Sequence, residues 1–150
     1  MPPVPDCYRD PACAARIALI GESFARLLGR PLVEVAGDPV AALWCAPQVI
    51  VAHGTEADPV FFFGNAAALA AFETTVQAFT ALPSRLSAEP ALREARAAFM
   101  ARVTRDGFAD DYSGWRVSQK GRRFLIEGGV VWNLVDSAGA PHGQAATFSL

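Results

Sequence analysis

Histidine and cysteine are scarce in this chain, two and three residues in 150, and the scarcity narrows the chemistry it can carry. A tight metal site wants about four Cys or His ligands at close spacing. Cys7 and Cys13 are near neighbours, but His53 and His142 sit far along the chain, so no metal site is expected. The odd cysteine count, behind a start (M-P-P-V-P-D) with no basic region and no hydrophobic block, argues for reduced thiols at Cys7, Cys13 and Cys45. Long apolar runs are missing too. I-A-L-I is broken at once by Gly21 and Glu22, far short of the ~20 residues that span a bilayer. A formal net charge of −2 gives no electrostatic reason to expect nucleic acid. G-x-S-x-G, G-x-G-x-x-G and Walker A patterns are all absent. The expectation is a soluble, cytoplasmic protein that neither meets a membrane nor binds nucleic acid directly.

What the chain has is apolar surface to bury: 52% of its residues are hydrophobic. That excludes disorder, and the length suits one domain with one core. Asp58 to Glu73, D-P-V-F-F-F-G-N-A-A-A-L-A-A-F-E, is the most informative stretch. A turn dipeptide feeds a short aromatic strand, Gly-Asn stops it, and an Ala-rich helix follows.

Before it, Asp10 to Leu28 places Ala14, Ile17, Ile20, Phe24 and Leu27 at helical spacing, with Asp10 as cap, Pro11 at the first turn and Gly29 as stop. Asp38-Pro39 opens a second helix through Trp44. Gln48 to Ala52 and Pro59 to Phe63 read as strands, His53 to Asp58 as the turn between them. After the Asn65 to Glu73 helix a loop through Leu86 is expected, then a helix from Pro90 to Arg105 that buries Leu92, Ala95, Phe99 and Val103 and ends at Gly107. Three strands close the chain. Gly114 to Gln119 sets Trp115 and Val117 against Arg116 and Ser118; Arg122 to Val135 puts Phe124, Ile126, Val130, Trp132 and Leu134 on one face, with Gly128-Gly129 allowing a bulge; Gln144 to Ser149 is last. The order predicts an α+β fold, a five-stranded antiparallel sheet with helices packed on one face and an N-terminal helical lead-in. Residues 1–42 form the extension and 43–150 the domain, together one compact unit.

Catalytic raw material is thin. His53 with Ser84 or Cys45 is the nearest to a base and nucleophile, and Glu56 with Asp58 or Asp110 with Asp111 the nearest to an acid–base pair. His53 at a strand end reads as a turn residue and the carboxylates as solvated loop residues. No enzyme is expected.

The element order together with the Asp58 to Glu73 segment resembles the PAS fold. The segments L-W-C-A-P-Q-V-I-V-A-H-G-T-E-A-D-P-V-F-F-F-G-N, L-P-S-R-L-S-A-E-P, D-Y-S-G-W-R-V-S-Q-K-G-R-R-F, V-W-N-L and G-Q-A-A-T-F, spread over Leu43 to Phe148, are similar to the MEKHLA domain family. I-G-E-S-F-A-R-L-L-G-R-P-L is similar to the lead-in of bacterial stand-alone members. The resemblance implies a PAS-like sensing or interaction module acting on its own. In plants the family sits behind a homeodomain and zipper, which this chain lacks, so DNA binding is not carried over. Flavin-binding PAS relatives need a reactive Cys within N-C-R-F-L-Q, where this chain has R-R-F-L-I, and haem-binding ones need a His on a central helix. No cofactor is expected.

An apolar interior with a few polar groups describes a small-ligand pocket and a packed core equally well. Phe61, Phe63, Leu69, Phe72, Trp115, Phe124, Trp132 and Phe148 are the candidate walls, meeting in one compartment. Asn133 and Gln144 are the candidate polar contacts, with backbone partners as the competing reading. Alternation puts Arg116 and Arg123 on the opposite, solvated or partner-facing side, and Arg85, Arg122 and Arg123 are raw material for an anion site. Two functions follow: a sensor binding a small molecule between sheet and helices, or a ligand-free module with a filled core that holds a homodimer, through its N-terminal helix or sheet surface, or a regulator.

Overall fold

The computed structural model describes residues 2–35, 37–89 and 92–150. The local signals form the expected elements. Helix α1 (Pro11–Leu28) begins where Asp10 Oδ2 accepts the Cys13 N–H at 3.3 Å and ends at Gly29, whose φ of 72° only glycine adopts freely and whose N–H reaches Ala25 O at 3.0 Å. Helix α2 (Pro39–Trp44) is capped by Asp38 in the same way, through the Val40 N–H at 3.0 Å.

Strands β1 (Val49–His53), β2 (Phe61–Gly64), β3 (Phe108–Val117), β4 (Arg123–Val135) and β5 (Pro141–Phe148) form one sheet in the order β2-β1-β5-β4-β3, every pair antiparallel. Helices α3 (Ala66–Ala71), α4 (Val76–Phe79) and α5 (Arg93–Asp106) cover one face. The stretch read as a loop after α3 contains α4, which Thr75 caps through the Ala78 N–H at 3.2 Å. The start expected for the last helix, Pro90, lies outside the described residues. Asp110 and Asp111 stand in β3 rather than in a loop, exposed beside its irregular register with β4.

Asn65 ties the sheet to α3. Fully buried, its Oδ1 accepts from Ile50 N at 3.1 Å and from Ala68 N at 3.0 Å, while its Nδ2 donates to Gln48 O at 2.8 Å and Leu43 O at 3.2 Å. One amide thus satisfies the end of a strand and the start of a helix.

The aromatic residues do not share one compartment; the sheet divides them. On the α3–α5 side lie Val49, Val51, Phe61, Phe72, Phe79, Tyr112, Phe124, Ile126, Val131 and Phe148. On the other side α1 and α2 bury Tyr8, Ile17, Ile20, Phe24, Trp44, Ile50, Phe63, Val130, Trp132 and Leu134. The lead-in is therefore the second cover of the sheet, and the boundary expected at residue 42 runs through a shared core.

The cause of the division in β4 is its Gly128 bulge, where φ is +63°. Gly114 pairs with Ile126 but Tyr112 with Gly129, so β4 spends an extra residue there. Strict alternation would keep Phe124, Ile126, Val130, Trp132 and Leu134 together; the extra residue sends the last three to the α1 side.

Candidate functional site

Three elements bring polar groups into the layer beneath α3–α5. Helix α5 buries Val103 and half-buries Arg96, Phe99 and Met100, while Ala95 is exposed. Its inward stripe is thus Arg96, Phe99, Met100 and Val103: Phe99 and Val103 lie inward as expected, but Arg96 replaces Ala95, so the stripe carries a guanidinium. On β3 the expected assignment is reversed. Trp115 is 40% exposed and Arg116 only 4%, because Arg116 stands opposite Phe124 on β4 and shares its covered face. Strand β5 adds Gln144, and β1 adds His53 at its end.

Val51, Phe61, Phe72, Met100, Ile126, Val131 and Phe148 enclose these groups, together with Ser87, around a cavity of about 20 Å³. That is room for a body of about water's size. Phe61, Phe72, Phe148 and Gln144 of the expected ligand residues line it. Phe124 packs in the same layer, and Leu69 is half-buried between the two layers. Phe63 and Trp132 face α1 and cannot line it, and Trp115 stands outside under the Arg123 guanidinium, 4.6 Å from the ring centre.

Asn133 and Gln144 have found protein partners. Gln144 Nε2 donates toward Thr104 Oγ1 at 2.9 Å, Asn133 Oδ1 at 3.0 Å and Met100 O at 3.2 Å; Asn133 Nδ2 donates to Val103 O at 3.0 Å. The two amides fasten the C-terminal half of α5 to the sheet. Asn133 faces an open cleft of about 350 Å³ beside the cavity, and His53 and Gln144 line both spaces.

His53 is neutral at ordinary pH. Burial pushes it down to about 4, and the Arg96 charge pushes the same way, against a hydrogen bond between Nδ1 and Gly54 O at 3.1 Å. Among the described residues no hydrogen bond joins it to Ser84 or Cys45; Cys45 is exposed, and the buried Ser84 gives its N–H to Pro59 O.

The arginines sort into two sets. Arg85, Arg122 and Arg123, the expected anion binders, each meet a carboxylate at the surface: Asp58, Glu73 and Glu89. Arg96 and Arg116 meet none among the described residues, and no carboxylate lines the cavity. Arg116 Nε donates to Tyr112 Oη at 3.0 Å and its Nη1 to Trp115 O at 2.7 Å. Arg96 Nε is buried without a partner among the described residues. Burial pushes the Arg96 guanidinium down and Arg116 adds to the push, while the neighbouring Tyr112 hydroxyl pushes it back up, and arginine stays charged in proteins. Two cations thus share a water-sized space lacking a counter-charge, an arrangement that normally costs several kcal/mol.

Nothing in the sequence read by apolar count pointed to either residue. The signal that could have found Arg96 is its own spacing to Phe99, Met100 and Val103, which is as helical as the stripe drawn through Ala95.

Antiparallel order β2-β1-β5-β4-β3 with short helices over one face defines a PAS-like fold. Solved structures agree: a PAS domain from Colwellia psychrerythraea superposes with a TM-score of 0.61 at 12% identity, covering 73% of this chain and 92% of that one. The light-state dimer of the fungal blue-light photoreceptor Vivid gives 0.59 at 11%, covering 84% and 90%. The MEKHLA domain model matches residues 14–150, and the chain belongs to that family. The match begins inside α1, well before residue 42. Similar relatives are the homeobox-leucine zipper protein ATHB-9 of Arabidopsis thaliana, 31% identical over 127 residues, and HOX33 of Oryza sativa subsp. indica, 26% over 137 residues. They match 83% and 89% of this chain, which spans only 15% and 16% of their length. Among the described residues no helix is long and apolar enough to cross a membrane.

Proposed function

We propose that this chain is a sensory or signalling module that binds a small molecule between the sheet and α3–α5. The observation that carries the reading is the small cavity in an otherwise largely apolar layer, with Arg96, Arg116, Tyr112, His53 and Gln144 turned toward it. A packed core gains nothing from buried cations, whereas a ligand site does. Helix α5 is the natural output: it carries Arg96 into the cavity and is held to the sheet by Gln144 and Asn133. The module binds rather than catalyses, needs no metal or cofactor, and works in the cytoplasm, where the free thiols of Cys7, Cys13 and Cys45 stay reduced. We also propose, on the likeness of the lead-in segment alone, that it acts free-standing as bacterial members of the family do.

A second reading, a ligand-free interaction module, draws on a different observation. Trp115 and Leu125 are paired across β3 and β4 and both are exposed, an apolar patch on the sheet surface that suits a second copy or a regulator.

Thermal shifts with metabolite pools separate the two, since a ligand that binds only the folded state raises stability by mass action. A saturable rise that Gln144→Ala abolishes supports the sensor. No rise with any pool, together with concentration-dependent dimers that Trp115→Ala dissolves, supports the interaction module.

A further inference from the structure

We propose that the cavity takes a compact monoanion, a halide or a carboxylate as short as formate, held between the guanidiniums of Arg96 and Arg116. The inference rests on the reading that this cavity holds a ligand, and it names the ligand's class.

Charge argues first. Every arginine of the surface set has its carboxylate, while the two in the interior have none among the described residues. Arg96 Nε is a buried donor with no acceptor among the described residues, and a guanidinium cannot discharge itself by losing a proton. An anion at this point would accept from Arg96 Nε and balance both charges with charge-assisted hydrogen bonds. Tyr112 Oη, already accepting from Arg116 Nε, would turn its hydrogen to the same guest. His53, neutral beside Arg96, adds no opposing charge.

Size argues second. About 20 Å³ admits a body of water's dimensions or slightly more, so the guest is a single small group rather than a ring system. Access argues third. Among the described residues only His53 and Gln144 belong to both the cavity and the open cleft beside it, so a rotation of the Gln144 amide away from α5 would connect the two spaces. The same rotation breaks its bonds to Met100 O and Thr104 Oγ1, which couples anion exchange to the hold on α5.

The test uses the whole chain exchanged into sodium HEPES, whose sulfonate is too large for the space. At constant ionic strength HEPES is replaced stepwise by chloride, formate or acetate, and melting is followed by fluorescence. A saturable rise in Tm is expected with at least one of the three, weakened at least tenfold in midpoint by Arg96→Met and by Arg116→Met. Each ligand-free variant should melt no lower than the parent, since each loses an uncompensated buried charge. A response to chloride identifies a halide site and one to formate or acetate a carboxylate site. Equal rises in parent and variants mean a surface salt effect and overturn the proposal. Should a Met variant fail to fold, a formate or chloride titration of the parent read at the His53 ring by NMR decides: a shift saturating at the thermal midpoint supports the site, and an unmoved His53 overturns it. If no anion acts but a neutral metabolite pool raises Tm in a Gln144-dependent way, the anion class fails and the sensor reading stands. If no compound acts at all, both fail.

Discussion

The two faces of the sheet hold similar numbers of aromatic rings and behave as different materials. Under α1, the buried side-chain polar atoms of the described residues all have partners. Tyr8 Oη donates to Gly64 O and accepts from Gly64 N, both at 3.0 Å; Trp132 Nε1 reaches Ile20 O at 3.0 Å; Ser23 Oγ accepts from Val135 N at 3.1 Å. Phe24 meets Trp132 edge-on with centroids 4.8 Å apart. Under α3–α5, by contrast, the layer holds a cavity, a neutral histidine and two guanidiniums that no carboxylate of the described residues meets. The first face is framework, and the second is where we propose that a guest binds, at the expense of stability.

The sharpest way to break that contrast is Trp132→Ala. The side chain is completely buried and its indole N–H is bonded, so the loss should be ~3–5 kcal/mol in urea unfolding. Any anion response should survive in the residual folded protein, because Trp132 lies across the sheet from the cavity. A loss below ~1 kcal/mol would place the ring in water and dissolve the framework side of the comparison.

Acid comes next in size. The folded state holds His53 down at about 4, whereas the unfolded chain takes a proton near 6.5. Sign follows directly: above pH 6.5 neither state is protonated and the contribution is intact, and as pH falls from 6.5 to 4 only the unfolded chain gains a proton, so stability is lost. The loss approaches roughly 3 kcal/mol at most. Arg96 and Glu56 are the charges that act on the ring, one lowering and one raising its affinity for a proton. Asp38, Asp106 and Asp136, each held below the usual carboxylate range by a side-chain hydrogen bond, to Arg9, Arg105 and His142 respectively, lose their contributions at lower pH. Urea unfolding at pH 7 and pH 5 should therefore differ in the parent and differ much less in His53→Gln. Equal dependence in both would move the titration to another group.

Asn65→Ala should cost ~2–3 kcal/mol, since it leaves the Ile50 and Ala68 N–H groups without their acceptor in a buried site. Loss of the α3 cap should show as faster amide exchange at Ala68. An effect below ~1 kcal/mol would mean that water replaces the amide. This residue marks what the sequence made legible. A Gly-Asn stop before an Ala-rich run announces a helix start because capping is local chemistry, and Asp10-Pro11, Asp38-Pro39 and Gly29 were readable on the same ground. Strand number and antiparallel order were readable from turn residues and alternation.

Which face a residue joins was not readable, because that depends on partners distant in sequence. Gly128 could be seen as a bulge, but the count of residues it spends, and hence the passage of Trp132 to the far side, needs the pairing of Tyr112 with Gly129. In W-R-V-S, alternation separates Trp115 from Arg116, and hydrophobicity selected the wrong one as buried. The deciding fact is that Arg116 shares the covered face of its cross-strand partner Phe124, while Trp115, on the opposite face of β3, is left 40% exposed. On α5 the period was right and Phe99 and Val103 were placed inward, but Ala95 stood where Arg96 turns in, and the interior cation went unseen.

Trp115→Ala is the smallest expected effect and the one that sharpens the contrast most. At 40% exposure, with Arg123 laid over its ring and Leu125 opposite, the side chain should contribute about 1 kcal/mol or less to stability in the monomer. Its worth would then lie in what it meets. Sedimentation of parent and variant over a hundredfold range of concentration gives the comparison: if the parent associates and Trp115→Ala does not, while both melt within a few degrees of each other, the patch is an interface and the sheet has three functions laid side by side, framework, cavity and contact. If both remain monomeric, the contact reading falls and the proposed guest site beneath α5 is the reading left to test.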